Sequence, residues 1–199
     1  MTRVVLATHN RHKVTELGRI LEGVPVELVS GLDLDLPDVE ETGDTFTANA
    51  LLKARACAAA TGLPAVADDS GLVVDALDGA PGVHSARYAG NHGDDDANLK
   101  LVLARLGDAA ERTGRFVCVA ALVTPDGREL VETGTMEGVI TETSIGDGGF
   151  GYDPIFVTTG QDRTNAELTP AEKDAISHRG AAFRALRPHL AALAARGDD

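Results

Sequence analysis

The sequence predicts an α/β protein with a mixed β-sheet divided between two lobes. Three observations support this class. Short apolar segments alternate with helical ones in the first half of the chain, as in βαβ units. A β-rich hairpin then interrupts the alternation, and a long helical segment follows it. The 199 residues carry no internal repeat or low-complexity linker, so we expect residues 1–199 to form a single domain.

A βαβ unit is predicted at the start of the chain. Residues 3–8, RVVLAT, are typical of a short buried strand. A helix follows, with Leu17 and Ile20 on one face and Gly23 beyond its end. Residues 25–29 alternate as a second strand does.

The next segment contains an acidic loop, a helix and two strands. Residues 31–44 are acidic and loop-like, and an alanine-rich helix is predicted from about residue 45 to residue 60. Two strands, at about 64–68 and 72–76, are expected to flank an acidic pair.

A third helix is predicted within residues 93–107, and three aspartates begin it. Because the helix dipole favours negative charge at this end, we interpret Asp94, Asp95 and Asp96 as a solvated cap rather than a metal site.

The second half of the chain begins with a predicted antiparallel hairpin. Residues 115–124 and 128–140 are β-rich, and Pro125-Asp126-Gly127 between them is a strong turn signal. The glycine-rich residues 146–154 predict a loop.

A last helix is predicted after Ser177, which is expected to cap it. Leu186 and Leu190 recur at helical spacing in this segment. Pro188 is expected to kink or break the helix, because proline removes a backbone hydrogen bond.

Composition excludes several classes of protein. The net charge of −13 disfavours binding to nucleic acid or to an anionic membrane. No apolar run reaches the roughly 18 residues of a membrane span, and the start resembles no signal peptide, so a cytoplasmic location is expected. Cys57 and Cys118 have apolar neighbours and are predicted to be buried free thiols. The six histidines lack zinc-ligand spacing.

The first candidate site is the polar turn between the first strand and the first helix. It comprises Thr8, His9, Asn10, Arg11, His12 and Lys13. Backbone N–H groups at a helix N-terminus bind anions, and Lys13 adds positive charge. The turn lacks the glycines of a Walker loop. Taken alone, an ordinary turn capped by Asn or Thr is the simpler interpretation.

A second candidate is one face of the second helix. Thr45, Asn49 and Lys53 are spaced four residues apart and therefore share that face. A solvated outer face explains the pattern equally well. Glu41, just upstream, adds a carboxylate and favours a functional site.

The third candidate is Asp68-Asp69-Ser70, which lies between apolar segments. Neighbouring side chains of an extended chain point to opposite faces, so one aspartate can be structural while the other faces a cleft. A buried carboxylate needs a cation or hydrogen-bond donors, and Mg²⁺ prefers such oxygen ligands. The alternative is a simple Asp-Asp-Ser-Gly turn between two strands, with Gly71 at a bend.

Two further candidates lie near the end of the chain. Phe150, Gly151, Tyr152 and Asp153 place aromatic rings beside a carboxylate in a glycine loop, in a chain with five Phe, two Tyr and no Trp. This arrangement indicates either a ring that stacks on a flat ligand or a hydrophobic plug. The other set is Lys173, His178 and Arg179, which can bind phosphate or a base edge or can be surface charge.

Five segments together resemble the inosine/xanthosine triphosphate pyrophosphatase family. They are ATHNRHK, EETGDTFTANALLKA, ADDSGLVVDALDGAPGVHSARYAG, GGFGYDPIF and LTPAEKDAISHRGAAF, and they span nearly the whole chain. In the first segment the family usually has glycine where this chain has His9, which alters the shape of the phosphate turn.

The resemblance implies Mg²⁺-dependent hydrolysis of ITP, dITP and XTP to the nucleoside monophosphate and pyrophosphate. It also implies a long, twisted, mixed sheet flanked by helices, with the site in a central cleft between two lobes, and a homodimer. Magnesium and fixed cations would stabilise the charge that develops on the leaving pyrophosphate.

The resemblance also implies residue roles. Asp69 is the catalytic carboxylate and binds magnesium with Glu41, and Asp68 supports them; Glu40 is the alternative to Glu41. The predicted phosphate ligands are Thr8, Asn10, Lys13, Asn49, Lys53 and Ser70. Phe150 stacks on the purine, and the residues around its edge and the sugar are Asp153, Lys173, His178 and Arg179. His9, Arg11, His12, Gly151 and Tyr152 complete the predicted substrate contacts.

Two alternatives remain open at this point. One is a nucleotide pyrophosphatase with another base preference, as in the distantly related Maf-like family. The other is a nucleotide-binding sensor without turnover, which intact Asp69, Glu41 and Lys53 disfavour.

Overall fold

The computed structural model describes residues 1–34, 36 and 39–196, and its strands form one six-stranded sheet. The strands are β1 (Arg3–Leu6), β2 (Glu27–Ser30), β3 (Ala65–Val74), β4 (Thr113–Val123), β5 (Glu129–Ile140) and β6 (Phe156–Thr158). The α-helices are α1 (Arg11–Ile20), α2 (Phe46–Thr61), α3 (Asp95–Leu106), α4 (Pro170–Ile176) and α5 (His178–Arg196). The strand order is β2-β1-β3-β4-β5-β6, and the predicted α/β class is confirmed.

The sheet is mixed, as predicted. Strand β1 pairs in parallel with β2 and with β3, so that Val5 lies opposite Val29 on one side and Ala65 on the other. Strand β5 pairs antiparallel with β6. The connection between β4 and β5 is too short for a parallel crossover, so these two strands form the predicted antiparallel hairpin. Gly127 has a φ of +86° in its turn, a conformation that glycine adopts without strain.

The chain divides into two compact units. The first contains the described residues of Met1–Asp69, Cys118–Gly134 and Arg179–Asp199, and the second contains Ser70–Val117 and Thr135–His178. That residues 1–199 form a single domain stays a prediction.

The core of the first unit is built from helices α1 and α5 against strands β1, β3 and β4. Helix α1 contributes Leu17 and Ile20 from one face, which is the helical spacing seen in the sequence. Helix α5 contributes Phe183, Leu186 and Leu190, all fully buried. Because these side chains are removed from water together, their burial is the main stabilising contribution of this unit.

The second unit has its own core beneath helix α3. Leu99, Val102 and Leu106 on α3 pack with Phe116 of β4 and Phe156 of β6. The rings of Phe116 and Phe156 meet edge to face at a centroid distance of 4.8 Å. This core supports the glycine-rich loop that precedes β6.

Strand β3 differs from the prediction of two strands separated by a turn. Residues Ala65–Val74 form one continuous strand, so the Asp-Asp-Ser-Gly turn is wrong. Asp68 and Asp69 lie in the middle of the strand and are both buried. An extended chain can carry two buried carboxylates here because cationic and amide groups from other elements contact each of them, as described below.

Helix α5 also differs from its prediction. Pro188 lies inside the continuous helix His178–Arg196, so the predicted break is wrong. An interior proline disfavours a helix by about 3 kcal/mol, and the burial of Leu186 and Leu190 on either side of it outweighs that penalty.

Helix α4 and strand β6 were not predicted, and one loop is only partly described. Helix α4 carries a Thr169–Glu172 capping box and Pro170 at its first position, a signal present in the sequence. Strand β6 has three residues, too few for a recognisable pattern. In the loop predicted over residues 31–44, residues 35, 37 and 38 lie outside the described part of the chain.

Two predictions from composition can be compared with the structure. Cys57 and Cys118 are free and buried, as expected. Within the described residues, no helix combines the length and the apolar character that a bilayer span needs.

Candidate functional site

The two aspartates of β3 contact different groups of side chains. They are 3% and 5% exposed, and as consecutive strand residues they point to opposite faces. Asp68 Oδ2 lies 2.9 Å from Lys13 Nζ and 3.3 Å from Arg179 Nη2. Asp69 Oδ2 accepts a hydrogen bond from Asn49 Nδ2 at 3.1 Å, and its Oδ1 lies 3.6 Å from Lys53 Nζ. All these residues belong to the first unit.

Asn10 and Thr8 organise the turn that begins helix α1. Asn10 is the N-cap, and its Oδ1 accepts from the N–H groups of His12 and Lys13. Thr8 Oγ1 accepts from the Asn10 N–H at 3.2 Å. The simple interpretation of a capped turn is therefore confirmed, while anion binding at this turn stays a prediction. His9, Arg11 and His12 are exposed, whereas Lys13 extends to Asp68.

Helix α2 presents its polar face to Asp69 rather than to solvent. Thr45 is the N-cap, and its side chain accepts from Ala48 N–H. Asn49 is fully buried and accepts from the Gly43 N–H at 2.8 Å while it donates to Asp69. The alternative of a solvated outer face is therefore wrong for Asn49.

Lys53 links two carboxylates in the same cluster. Its Nζ lies 2.5 Å from Glu41 Oε1 and 3.6 Å from Asp69 Oδ1. Glu40, the alternative to Glu41, is exposed. The pair of carboxylates that shares one lysine is therefore Glu41 and Asp69.

Burial and neighbouring charges shift the pKa values in this cluster. Burial raises the pKa of Asp69, while Lys53 acts in the opposite direction and Glu41 adds to the increase. Burial acts to lower the pKa of Lys53, but Asp69 and Glu41 together raise it above its ordinary value. Lys53 is therefore charged at neutral pH. Asp69, whose carboxylate is buried beside Glu41, is in an environment that favours binding of a proton or a cation.

A buried glutamate that sequence reasoning missed completes the Asp68 side of the cluster. Arg179 Nη1 donates to Glu16 Oε2 at 2.6 Å, and the same guanidinium contacts Asp68. Burial acts to lower the pKa of Arg179, but Asp68 and Glu16 raise it, so Arg179 stays charged. Glu16 lies beside Leu17 on the buried face of α1, and this position in the sequence could have indicated a buried carboxylate.

These residues fit a magnesium ion that arrives with its substrate. No group of three or more His, Cys, Asp or Glu side chains suited to a metal occurs among the residues that the structure describes. Mg²⁺, however, is usually bound by one or two carboxylates together with substrate phosphates and water. Asp69 and Glu41 provide two such oxygen ligands within reach of one lysine.

The second unit contains a separate group around Phe150. Asp153 is buried, and its Oδ2 accepts from the Phe150 N–H at 2.9 Å and from Lys173 Nζ at 2.5 Å. Lys173 Nζ also lies 4.8 Å from the centroid of the Phe150 ring. A Cβ on Gly149 would lie 2.2 Å from the Asp153 carboxylate, so this position requires glycine.

The remaining predicted residues lie in several places. Tyr152 is a buried core residue whose hydroxyl donates to the Ser85 carbonyl oxygen, so the plug interpretation applies to its ring. His178 is buried with its ring stacked on Phe116. Ser70, which follows Asp69 in β3, is half-buried. Lys173 thus contacts the Phe150 group, and Arg179 contacts the Asp68 cluster.

The fold and these two groups define an α/β protein of a known family. A model of the Ham1 family matches residues 4–189, and the chain belongs to that family. The resemblance inferred from the five sequence segments is thereby confirmed.

Similar proteins from bacteria are named as enzymes. The chain is 59% identical to a dITP/XTP pyrophosphatase of Streptomyces coelicolor, over 94% of this chain and 96% of the relative. It is 50% identical to a dITP/XTP pyrophosphatase of Geobacter sulfurreducens, over 96% and 97% of the two chains.

Solved structures are similar over nearly the same length. A HAM1 protein from Coxiella burnetii has a TM-score of 0.88 and 44% identity, and covers 96% of this chain and 98% of its own. A nucleoside-triphosphatase, dITP/XTP pyrophosphatase from Mycobacterium abscessus has a TM-score of 0.76 and 52% identity, and covers 95% and 100%.

Proposed function

We propose that this protein is a nucleoside triphosphate pyrophosphatase that hydrolyses dITP, XTP and ITP to the nucleoside monophosphate and pyrophosphate. The observation that carries the proposal is the buried Asp69 carboxylate, which lies between Asn49 and Lys53 and shares that lysine with Glu41. Relatives at 50% to 59% identity that are named dITP/XTP pyrophosphatase support the same substrate class.

Asp69 is proposed to act on the attacking water. Because burial raises its pKa, its carboxylate is a better proton acceptor than an exposed aspartate. The water oxygen forms a bond to the α-phosphorus, the bond from that phosphorus to the pyrophosphate oxygen breaks, and the carboxylate takes the water proton. Asn49 holds Asp69 Oδ2 through its amide and so fixes the orientation of the group.

Magnesium is the proposed cofactor, with Asp69 and Glu41 as ligands and Asp68 in support. When bound, the ion would neutralise phosphate charge and lower the pKa of a coordinated water. Lys53 and Lys13 are proposed to add positive charge at the phosphates, since each already contacts a buried carboxylate of this cluster. The other proposed phosphate contacts are Thr8, Asn10, Asn49 and Ser70, and His9, Arg11 and His12 are further proposed substrate contacts.

Phe150 is proposed to stack on the purine. Its ring is half-buried and lies beside Lys173, which Asp153 holds in place. Asp153, Lys173 and His178 are proposed to surround the base edge and the sugar, with Gly151 and Tyr152 in the supporting loop. A donor to the 6-oxo group would disfavour adenine, because its amino group would leave that donor unpaired.

Arg179 is assigned a different role from the base contact that the resemblance implies. Its guanidinium donates to Glu16 and lies against Asp68, and it is 2% exposed. We therefore propose that Arg179 holds the Asp68 carboxylate in position beside Lys13.

The assembly and location of the protein are further proposals. The family resemblance supports a homodimer and a cytoplasmic location. Light scattering coupled to size-exclusion chromatography would measure the mass in solution, and a mass near the 20.7 kDa of one chain contradicts the dimer.

A panel of nucleoside triphosphates with Mg²⁺ tests the activity. We expect dITP, XTP and ITP to yield the monophosphate and pyrophosphate in one step, faster than ATP, and chelation of the metal to stop the reaction. Nucleoside diphosphate and orthophosphate as primary products contradict the proposed attack at the α-phosphorus. A different preferred base supports the Maf-like alternative, and binding without turnover supports the sensor.

The stacking role of Phe150 predicts a loss that is independent of the base. Phe150→Ala is expected to lower kcat/KM for dITP, XTP and ATP by similar factors, because every base presents a π-face. The lost stacking corresponds to about 1–3 kcal/mol of apparent binding energy. The measurement is the set of kcat/KM values, with Phe150→Leu as a control for lost apolar area. A loss confined to one base would assign Phe150 a selective role instead.

A further inference from the structure

The loop that carries Phe150 is anchored at the two residues that follow the ring. The Gly151 N–H donates to Asp95 Oδ2 at 2.8 Å, and Asp95 lies in the first turn of α3. The Tyr152 hydroxyl donates to the Ser85 carbonyl oxygen at 2.7 Å. The loop is therefore tied to two elements distant in sequence, both within the second unit.

Asp95 differs from the two aspartates beside it. Asp94 is the N-cap of α3, and its side chain accepts from the Ala97 N–H at 3.1 Å. Asp96 forms an exposed ion pair with Lys100. Asp95 is half-buried and accepts from a residue 56 positions away. The prediction of a solvated cap is thus right for Asp94 and Asp96 and wrong for Asp95.

Carboxylates hold both peptide groups that flank Phe150. Asp153 accepts the N–H of Phe150, and Asp95 accepts the N–H of Gly151, which belongs to the peptide plane that begins at the Phe150 carbonyl. Because each peptide group is planar, fixing both of them fixes the backbone on either side of the ring. The direction in which the Phe150 side chain leaves the backbone is then set by these two contacts.

Gly151 adds a reason why the anchor is needed. Its φ is +64°, in the left-handed region. Glycine loses more conformational freedom on ordering than any other residue, so a free glycine after Phe150 would leave the ring in many orientations. A hydrogen bond to an ionised carboxylate is roughly twice as strong as a neutral one. Asp95 can therefore hold this turn in one conformation.

We propose that Asp95 is a positioning residue for nucleotide binding, which keeps the Phe150 ring in the orientation that stacks on the base. The proposal rests on the proposed function. Asp95 contacts the loop backbone, and its role is to reduce the disorder that binding must remove. Because such a contribution is equal in the ground state and the transition state, it affects KM rather than kcat.

The first test is kinetic. Asp95→Ala is expected to raise KM for dITP and XTP by roughly tenfold, the effect of losing one hydrogen bond to a charged acceptor, with kcat nearly unchanged. Asp95→Asn keeps an acceptor oxygen and is expected to fall between Asp95→Ala and wild type. Asp96→Ala removes the same charge from the same helical turn and is the matched control, with wild-type KM expected.

The second test observes the loop without nucleotide. The chain contains no tryptophan, so Phe150→Trp introduces a single indole at this position. We expect acrylamide to quench the fluorescence of Phe150→Trp/Asp95→Ala more strongly than that of Phe150→Trp alone. Quenching of Phe150→Trp/Asp96→Ala is expected to equal that of Phe150→Trp alone. Thermal unfolding followed by circular dichroism shows whether each variant is folded, and Asp95→Asn replaces Asp95→Ala in both tests if the latter is not.

Three results would overturn the proposal. They are an unchanged KM in Asp95→Ala, an equal rise of KM in Asp96→Ala, and unchanged quenching on removal of the Asp95 carboxylate. Failure of the proposed function has a different signature, because it is seen in the wild type as a lack of dITP and XTP turnover, before any variant is compared.

Discussion

Asp69→Asn is expected to lower kcat by about 100- to 10,000-fold, the range that a positioned general base contributes. The substitution removes the charge that accepts a proton and binds a cation, yet it changes the volume of the side chain very little. Asn49 donates to Oδ2 of Asp69 and Lys53 lies near Oδ1, and the asparagine amide keeps one of these two acceptor oxygens. The measurement is turnover of dITP at saturating nucleotide and Mg²⁺.

The same variant is expected to remain folded. The folded-state pKa of Asp69 is raised, so the unfolded chain releases this proton at lower pH. Ionisation of Asp69 therefore costs more in the folded state than in the unfolded chain. As a result, the free energy of unfolding falls as the pH rises from the ordinary pKa of an aspartate through the folded-state pKa of Asp69. Asp69→Asn removes that penalty, and we expect its free energy of unfolding at neutral pH to be no lower than that of the wild type.

A matched control separates the role of Asp69 from a general loss of negative charge. Asp75→Asn removes an exposed carboxylate just beyond β3 and is expected to leave kcat near the wild-type value. Near-normal turnover in folded Asp69→Asn would refute the assignment and direct the same test to Asp68 and Glu41. Loss of folding would be seen as a lowered denaturation midpoint.

Arg179→Met is expected to lower the free energy of unfolding by about 3–5 kcal/mol, because it removes a buried cation that contacts two buried carboxylates. Asp68 and Glu16 are both buried, and both contact this guanidinium. Lys13 still contacts Asp68 in this variant. Urea denaturation monitored by circular dichroism gives the difference in unfolding free energy.

Two further variants isolate the charge effect. Arg187→Met, on the same helix, removes a guanidinium that donates to the Ile20 and Glu22 carbonyl oxygens, and a smaller loss is expected because no buried charge is left. Adding Glu16→Gln to Arg179→Met should recover part of the stability, since it neutralises a buried carboxylate that no longer contacts this guanidinium. Strict additivity of the two changes would contradict the assigned pairing.

The activity of Arg179→Met distinguishes the two roles considered for Arg179. If the guanidinium serves Asp68 and Glu16, Arg179→Met should keep the wild-type ratio of kcat/KM for ITP and ATP. A ratio compressed towards one would restore the base contact that the family resemblance implies.

Local signals in the sequence determined most of the elements and the family. Helix α2 begins after the cap Thr45 and ends at Thr61, just before the C-cap Gly62, which has a φ of +66°. The Pro125-Asp126-Gly127 turn and the β-rich segments beside it determined the hairpin. Such signals can be recognised in a sequence because capping and turn formation involve residues that are close in the chain. The family followed from the order of five segments rather than from any one of them.

Only the tertiary structure decided which charged groups meet. Asp68 and Arg179 are 111 positions apart, and Asp95 and Gly151 are 56 apart, so no spacing rule relates them. The continuity of β3 depends on the same contacts. Two adjacent aspartates disfavour a buried strand until cations and amides from α1, α2 and α5 contact them, and burial then becomes compatible with charge. The sequence determined that these residues are present, and the packing of distant helices against the sheet determined what each of them contacts.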